Sequence, residues 1–402
     1  MAFNHARPGY GKREALADAG CGCQPGVRPF PSCAAAWARF LRRVALNGRG
    51  PACYFRRVAR DDTLAMEVRE MPAKTNLPAV TRKAVHIPIG GFKDVYDVEA
   101  VDRALAELPA GANEALKTTY EKMLKAGGTR LTVKPAGVPA MAHLYDELPN
   151  FGEVLDDVKK QIALCASSSD SLELAPMLLL GEPGIGKTYF ARRIADLLST
   201  GFGFVSMSSL TAGWILSGSS SQWKNSKPGK VFETFLHGQY ANPLLVVDEI
   251  DKATGDSQYD PLGALYSLLE TDTARAFIDE FVEIPIDASN VFWVATANDA
   301  ARIPEPILNR MNVYEIEPPD RAGAMRIAQA IYADIRNSHD WGRQFPERLD
   351  ADVLDRLACA TPREMRRTIL AAFGTAKLAG HDEVTVDDLA EGRNARKARI
   401  GF

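Results

Sequence analysis

Gly181-Glu182-Pro183-Gly184-Ile185-Gly186-Lys187-Thr188 is a complete G-x-x-x-x-G-K-[ST] stretch, and its flanks decide what it means. Before it runs Met177–Leu180 (MLLL), a short apolar segment of the kind a strand buried on both faces uses. After it, Phe190, Ala191, Ile194, Ala195 and Leu198 recur at helical spacing. Strand, glycine loop and helix start together make the pattern a phosphate cradle. The glycines let backbone N–H groups turn inward around a β-phosphate, and the positive end of the helix favours negative charge. Lys187 then reaches the β/γ oxygens and the Thr188 hydroxyl ligates Mg2+. The stretch predicts a nucleotide site.

Sixty-one residues after Lys187, the apolar run Leu244–Val247 leads into Asp248 and Glu249. Acids emerging at the carboxyl end of a buried strand stand where doubly wound sheets place their ligands. Asp248 suits the Mg2+ shell, and Glu249 suits the base that orients and deprotonates an attacking water. A third strand, Val291–Thr296, ends near Asn298, whose amide either holds that water or starts a turn toward Asp299. Twelve residues on, Arg310 in PILNRM offers the always-charged planar donor that a finger reaching a neighbouring subunit requires. Arg363 in TPREMRR opens a helix from which it can touch a γ-phosphate.

The order of these elements, with DEID at 248–251 and ATAN at 295–298, resembles the AAA+ ATPases and, within them, the ATPase module of Lon-type proteases. The resemblance runs from near Asn150 to Arg367. It rests on NPLLVVDEIDKA, DPLGALYSLLE, FVEIPIDASNVFWVATAN and IPEPILNRMNVYEI. It implies an α/β fold: a P-loop AAA+ five-stranded parallel sheet with a C-terminal helical lid, preceded by a small N-terminal α+β or helical segment and a disordered basic head. The expected boundaries are 1–70 for the head, 71–140 for the accessory segment, 141–318 for the large subdomain and 319–402 for the lid. By the resemblance the nucleotide is ATP with Mg2+, hydrolysed at the subunit interfaces of a homo-oligomeric ring, a hexamer. Asn298 becomes sensor 1, Arg310 the arginine finger and Arg363 sensor 2, and Phe151 packs near adenine. Asn309 stands where the family has Asp before the finger.

Between the second expected strand (Phe204–Met207) and Asp248 lies a polar loop, Ser217–Lys230. It aligns with the Lon pore loop, whose aromatic–aliphatic pair grips a translocating polypeptide; here the pair is Trp223-Lys224. No apolar residue lies within five positions of Trp223, so the ring projects from the loop rather than filling a core. Only 39 residues follow Arg363, and Ser338 is the last serine. The reading therefore expects no peptidase in cis and leaves a separate peptidase partner open.

Composition bounds the rest. No apolar run approaches the length of a spanning helix, so no membrane partner is expected and the cytoplasm is the expected location. The overall charge is −3, yet residues 1–60 hold eleven Lys+Arg against Glu14 and Asp18, leaving −12 on the rest. Four of six cysteines sit in this head without paired C-x-x-C halves, a weak zinc signal. The head reads as an Arg/Ala/Pro-rich tail, as a transit peptide lacking an amphipathic stripe, or as sequence upstream of a later start at Met66 or Met71. Residues 73–96 read as extended, followed by helical patterns at Val98–Leu108 and Ala112–Ala126 and a strand-like Arg130–Val133. The primary expectation is a motor that unfolds protein substrates. The alternatives are a nucleic-acid motor, favoured by Lys224, Lys227, Lys230 and the head, and a nucleotide-gated scaffold that does not hydrolyse.

Overall fold

The computed structural model describes residues 89–109, 111, 113–209, 213–253 and 260–389, all within one unit, Thr81–Phe402. The expectations for the basic head, its cysteines and the tail beyond 389 lie outside the described residues.

Residues 89–133 follow the periodicities of their sequence, while 73–88 of the stretch read as extended lie outside the described residues. β1 (Ile89–Asp94) is followed by α1 (Val98–Ala106), α2 (Glu114–Ala126) and β2 (Thr129–Val133), and β1 pairs antiparallel with β2. Both helices are capped by side chains, Asp97 accepting from Glu99 N–H and Asn113 from Ala115 N–H. Leu116, Tyr120 and Met123, spaced as one helix face, are buried in the same cluster as Leu245, Val247 and Trp293 of the central sheet. β2 is also stitched on through its backbone. Leu131 N–H donates to Gln239 O (2.8 Å) and Leu131 O accepts from Ala241 N–H (2.7 Å). The buried Asn242 amide bonds both the N–H and the C=O of Val133, at 2.9 and 2.8 Å. Arg130, also buried, donates its Nε–H to Phe235 O at 2.9 Å. The segment read as an appendage shares its core with the sheet.

Next come α3 (Ala142–Glu147), a 3-10 turn at Pro149–Phe151 and α4 (Gly152–Ala166). Apolar residues recur at helical spacing over Leu144–Ala166, but the helix is broken within that run. Pro149 lacks an N–H and disfavours helical geometry in the residue before it, and Leu148 sits at φ −132°, ψ 56°.

The sheet is built from β3 (Met177–Gly181), which leads to α5 (Lys187–Leu198), then β4 (Phe202–Ser206), α6 (Lys230–His237) and β5 (Leu244–Asp248). Short helices α7 (Leu265–Leu268) and α8 (Thr271–Ala274) and a β6–β7 hairpin (Phe277–Ile278, Pro285–Ile286) precede β8 (Phe292–Ala297), α9 (Glu305–Leu308) and β9 (Asn312–Ile316). Strand order is β4-β5-β8-β3-β9, with every neighbouring pair parallel. β4 starts and ends earlier than expected, because Phe202 pairs with Leu244 at the start of β5. The three inner strands, β5, β8 and β3, are apolar along nearly their whole length because both faces are covered, whereas the edge strands β4 and β9 carry exposed positions. Leu244 and Val246 face α4 and α5, while Leu245 and Val247 face the opposite cluster.

The lid comprises α10 (Arg321–Ser338), α11 (Ala351–Leu357) and α12 (Pro362–Ala379), around its own core. In that core Tyr332 stacks on Phe373 at 5.0 Å. Thr361 and Glu364 form a capping box that fixes the start of α12. Farther on, Thr385 donates both its N–H and its Oγ1–H to Asp388 Oδ2, each at 2.8 Å. Among the described residues no helix is long and apolar enough to cross a membrane.

Candidate nucleotide site

Parallel register gathers the site. Leu180 lies opposite Ala297 and Val247 opposite Ala295, so the loop after β3, Asp248 and Asn298 emerge side by side. In the loop, Gly186 adopts φ 109° just before α5, a conformation an L side chain resists, so the backbone can turn its N–H groups inward there. Gly184, Ile185, Gly186, Lys187 and Thr188 line the resulting cleft together with Pro183. Gly181 and Glu182 lie behind it and contribute their carbonyls to Lys187.

Lys187 is buried and its ammonium donates to Gly181 O (2.6 Å), Glu182 O (3.1 Å) and Asn298 Oδ1 (3.0 Å). Burial pushes its pKa below the ordinary lysine range, against the pull of Asp248, Asp251 and Glu249. Those three neutral acceptors are weak partners for a charge at such depth, and an anionic phosphate is a stronger one.

The acids are tied by one hydroxyl. Thr296 Oγ1 donates to Asp248 Oδ1 at 2.7 Å and accepts from Glu249 N–H at 3.0 Å, while Thr188 Oγ1 donates to the same Asp248 oxygen at 3.0 Å. Glu249 itself has φ 58°, a left-handed conformation unusual for a side-chain-bearing residue and held by the Thr296 bond. Its carboxylate pairs with Lys252. Hydrogen bonds from Lys252 and Ser208 hold its pKa below the usual range, so it is ionised at neutral pH.

The lid supplies the opposite wall through Ile327, Ile331, Arg363 and Arg366. Arg363 is exposed at the start of α12, and its charge also lowers the Glu249 pKa. Arg366 pairs with Asp334 at 2.8 Å. Leu148 and Asn150 line the cleft beside them. Asn150 donates to Glu317 O at 3.1 Å, but its Oδ1 is buried without a partner. That orphaned acceptor suits an exocyclic amino group.

Phe151 is placed differently from the expectation that it packs near adenine. It is fully buried, stacks on Phe190 at 4.9 Å and does not line the cleft. The reason is the Pro149 break, which turns Asn150 toward the cleft and Phe151 inward against α5.

Arg310 does not line this cleft. Just beyond α9, its Nε stands 2.6 Å from Glu270 Oε1 and its NH1 donates to Pro306 O at 2.6 Å. Trp223 is 47% exposed and meets Trp214, 38% exposed, edge to face at 5.5 Å. Both indoles line a second cleft with Phe277, Ile278 and Glu280, and Lys224 is exposed beside them. The sequence reading missed Thr296, Asn150, Arg366 and Trp214. Thr296 sits inside the ATAN motif and was within reach, whereas Trp214 carries no local signal.

The donor set fits a nucleoside triphosphate with a hard divalent cation. The Thr188 hydroxyl and Asp248 carboxylate are adjacent oxygens that suit such a cation, and the buried Lys187 and the unpartnered Asn150 oxygen suit an anion and a donor.

Residues 177–318 match the family described as ATPase family associated with various cellular activities (AAA). A mitochondrial Lon protease homolog of Schizosaccharomyces pombe is 38% identical over 153 residues, covering 38% of this chain and 14% of that protein. The corresponding protein of Aspergillus fumigatus is 26% identical over 304 residues, 75% of this chain and 26% of its own length. The chain thus spans about a quarter or less of these relatives. Among solved structures, Hsp104 with ATPγS and FITC casein in a closed state gives a TM-score of 0.48 at 17% identity, covering 60% of this chain and 48% of that one. The Thermotoga maritima RuvB Holliday junction branch migration motor gives 0.38 at 17%, covering 55% and 62%.

Proposed function

We propose that this chain, whose residues 177–318 are an AAA ATPase module similar to that of Lon proteases, is a Mg-ATP-hydrolysing motor that unfolds polypeptide through a ring pore. The observation that carries the reading is the pair of hydrogen-bonded groups, Lys187 with Asn298 and Thr188 with Asp248, Thr296 and Glu249, set side by side at adjacent strand ends.

Lys187 and the loop N–H groups hold the β- and γ-phosphates. Thr188 and Asp248 hold Mg2+, which when bound neutralises phosphate charge. Glu249, ionised and fixed by Thr296, accepts a proton from the water whose oxygen attacks the γ-phosphorus; the bond to the β-phosphate oxygen breaks, giving ADP and phosphate. Asn298 orients that water once Lys187 turns to phosphate. Arg363 reaches the γ-phosphate from the lid and couples its departure to lid motion. Arg310, outside its own cleft, serves the cleft of the next subunit in a hexamer. Trp223 is the part that grips polypeptide. The cytoplasm is the compartment this reading assigns, with a separate peptidase consuming the unfolded product.

The test is steady-state ATP hydrolysis with and without an unfolded polypeptide, and separately with DNA. Several-fold stimulation by polypeptide that is lost in Trp223→Ala supports the reading. Stimulation by DNA alone, abolished by salt, contradicts the assigned substrate.

A further inference from the structure

The loop carrying Trp223 is held from two sides, and one of them is the N-terminal segment. On the inner side lies Asp279, fully buried after β6. Its carboxylate accepts from Gly229 N–H at 2.7 Å, and the next residue, Glu280, donates its N–H to Ser217 O at 2.7 Å. The two ends of the loop are thereby fastened together. A side chain on Gly218 would come within 2.6 Å of Asp279 Oδ1, so the chain must be bare there. Across the base, Ser219 N–H donates to Lys227 O and Lys227 N–H to Ser219 Oγ, both at 3.0 Å.

The outer side is Asn113, the N-cap of α2. Its Oδ1 accepts from Ala115 N–H, while its Nδ2 donates to Ser221 O at 2.8 Å and to Ser226 Oγ at 3.1 Å. Ser221 and Ser226 bracket Trp223 in the sequence, and Ser226 is buried. The same helix reaches the hairpin below through Tyr120, whose hydroxyl donates to Val282 O at 2.7 Å. One rigid 13-residue helix thus touches both the loop and the hairpin that anchors it.

We propose that Asn113 is a positioning residue for Trp223: the segment 89–133 is a brace that fixes the aromatic loop in its projecting geometry, so that α2 tunes the grip on substrate. This deepens the reading of Trp223 as the gripping residue and rests on it. A short amide is what the place demands, because one oxygen must cap the helix while one NH2 spans two loop positions.

Asn113→Ser separates these duties. Serine caps a helix as well as asparagine does but is too short to reach the loop. The expected result is a melting temperature close to wild type and a half-maximal polypeptide concentration for ATPase stimulation raised about fivefold, the worth of roughly one neutral hydrogen bond. Acrylamide quenching assigned to Trp223, taken as the difference between each protein and its Trp223→Phe counterpart, rises as well. Unchanged quenching overturns the brace, whatever the stimulation does. Increased quenching with an unchanged half-maximal concentration leaves the brace in place and overturns the grip assigned to Trp223. Should polypeptide not stimulate even the wild type, the reading of the motor fails and the quenching alone decides the brace.

Discussion

Phe151 and Phe190 stack at 4.9 Å with their rings 11° apart, and the Phe151 ring edge lies 3.8 Å from where a side chain on Gly186 would begin. The pair is a pillar under the phosphate loop rather than a shelf for a base. Phe151→Ala should therefore cost about 3–5 kcal/mol of stability by opening a core cavity. Phe151→Leu should melt lower than wild type yet bind ATP within a few-fold of it. A large affinity loss in the leucine variant at unchanged melting temperature would restore the ring to the base.

Thr296 is the hinge between the two acids. Thr296→Val keeps the shape but removes the bonds to Asp248 and to Glu249 N–H. Stability should fall by about 1–3 kcal/mol for the stranded N–H. Because Glu249 then leaves its left-handed geometry, turnover should fall at least tenfold while ATP still binds. Equal turnover at saturating ATP would show that Glu249 needs no such support.

Arg310 faces Glu270, not the cleft of its own chain. Arg310→Ala should lose turnover by about 10³-fold or more, the usual worth of an arginine finger. Lys187→Ala should be equally inactive. Mixing the two inactive proteins should restore measurable hydrolysis, since a Lys187→Ala subunit still presents Arg310 to an intact neighbouring cleft. Mixtures that stay inactive while co-assembling would place Arg310 elsewhere.

Burial raises Asp279 from an ordinary carboxylate value to about 6, against the pull of three backbone N–H groups. A folded-state pKa above the unfolded one means the folded protein binds the proton more tightly. Its stabilising effect is complete below about pH 4, the unfolded value, and is lost as pH rises through about 6. Relative to Asp279→Asn, the wild type should therefore gain melting temperature as pH falls from 7.5 to 5. A difference that stays constant over that window would contradict the burial argument.

Local signals carried much of this molecule. The phosphate loop with its flanking strand and helix, and the acids that close β5, are each written in short contiguous runs, where strand and helix periodicities differ plainly. The break at Pro149 was also local, yet the apolar spacing on both sides concealed it. What sequence could not supply is pairing across distance. Asn113 meets Ser221 and Ser226 more than a hundred positions away, and Asn242 meets Val133 at a separation of 109. Such contacts depend on where the sheet sets each element, which no window reports. The segment at 89–133 looked like an appendage for that reason, since its apolar face has no partner until the sheet exists.

The central claim is chemical turnover at the strand ends, and Glu249→Gln tests it most directly. Fluorescent-nucleotide binding and steady-state phosphate release should be measured on the same preparation of wild type and variant. The account predicts ATP affinity within a few-fold of wild type and turnover reduced at least a hundredfold, because the amide still fills the place but takes no proton. Phosphate release by Glu249→Gln at the wild-type rate would contradict it.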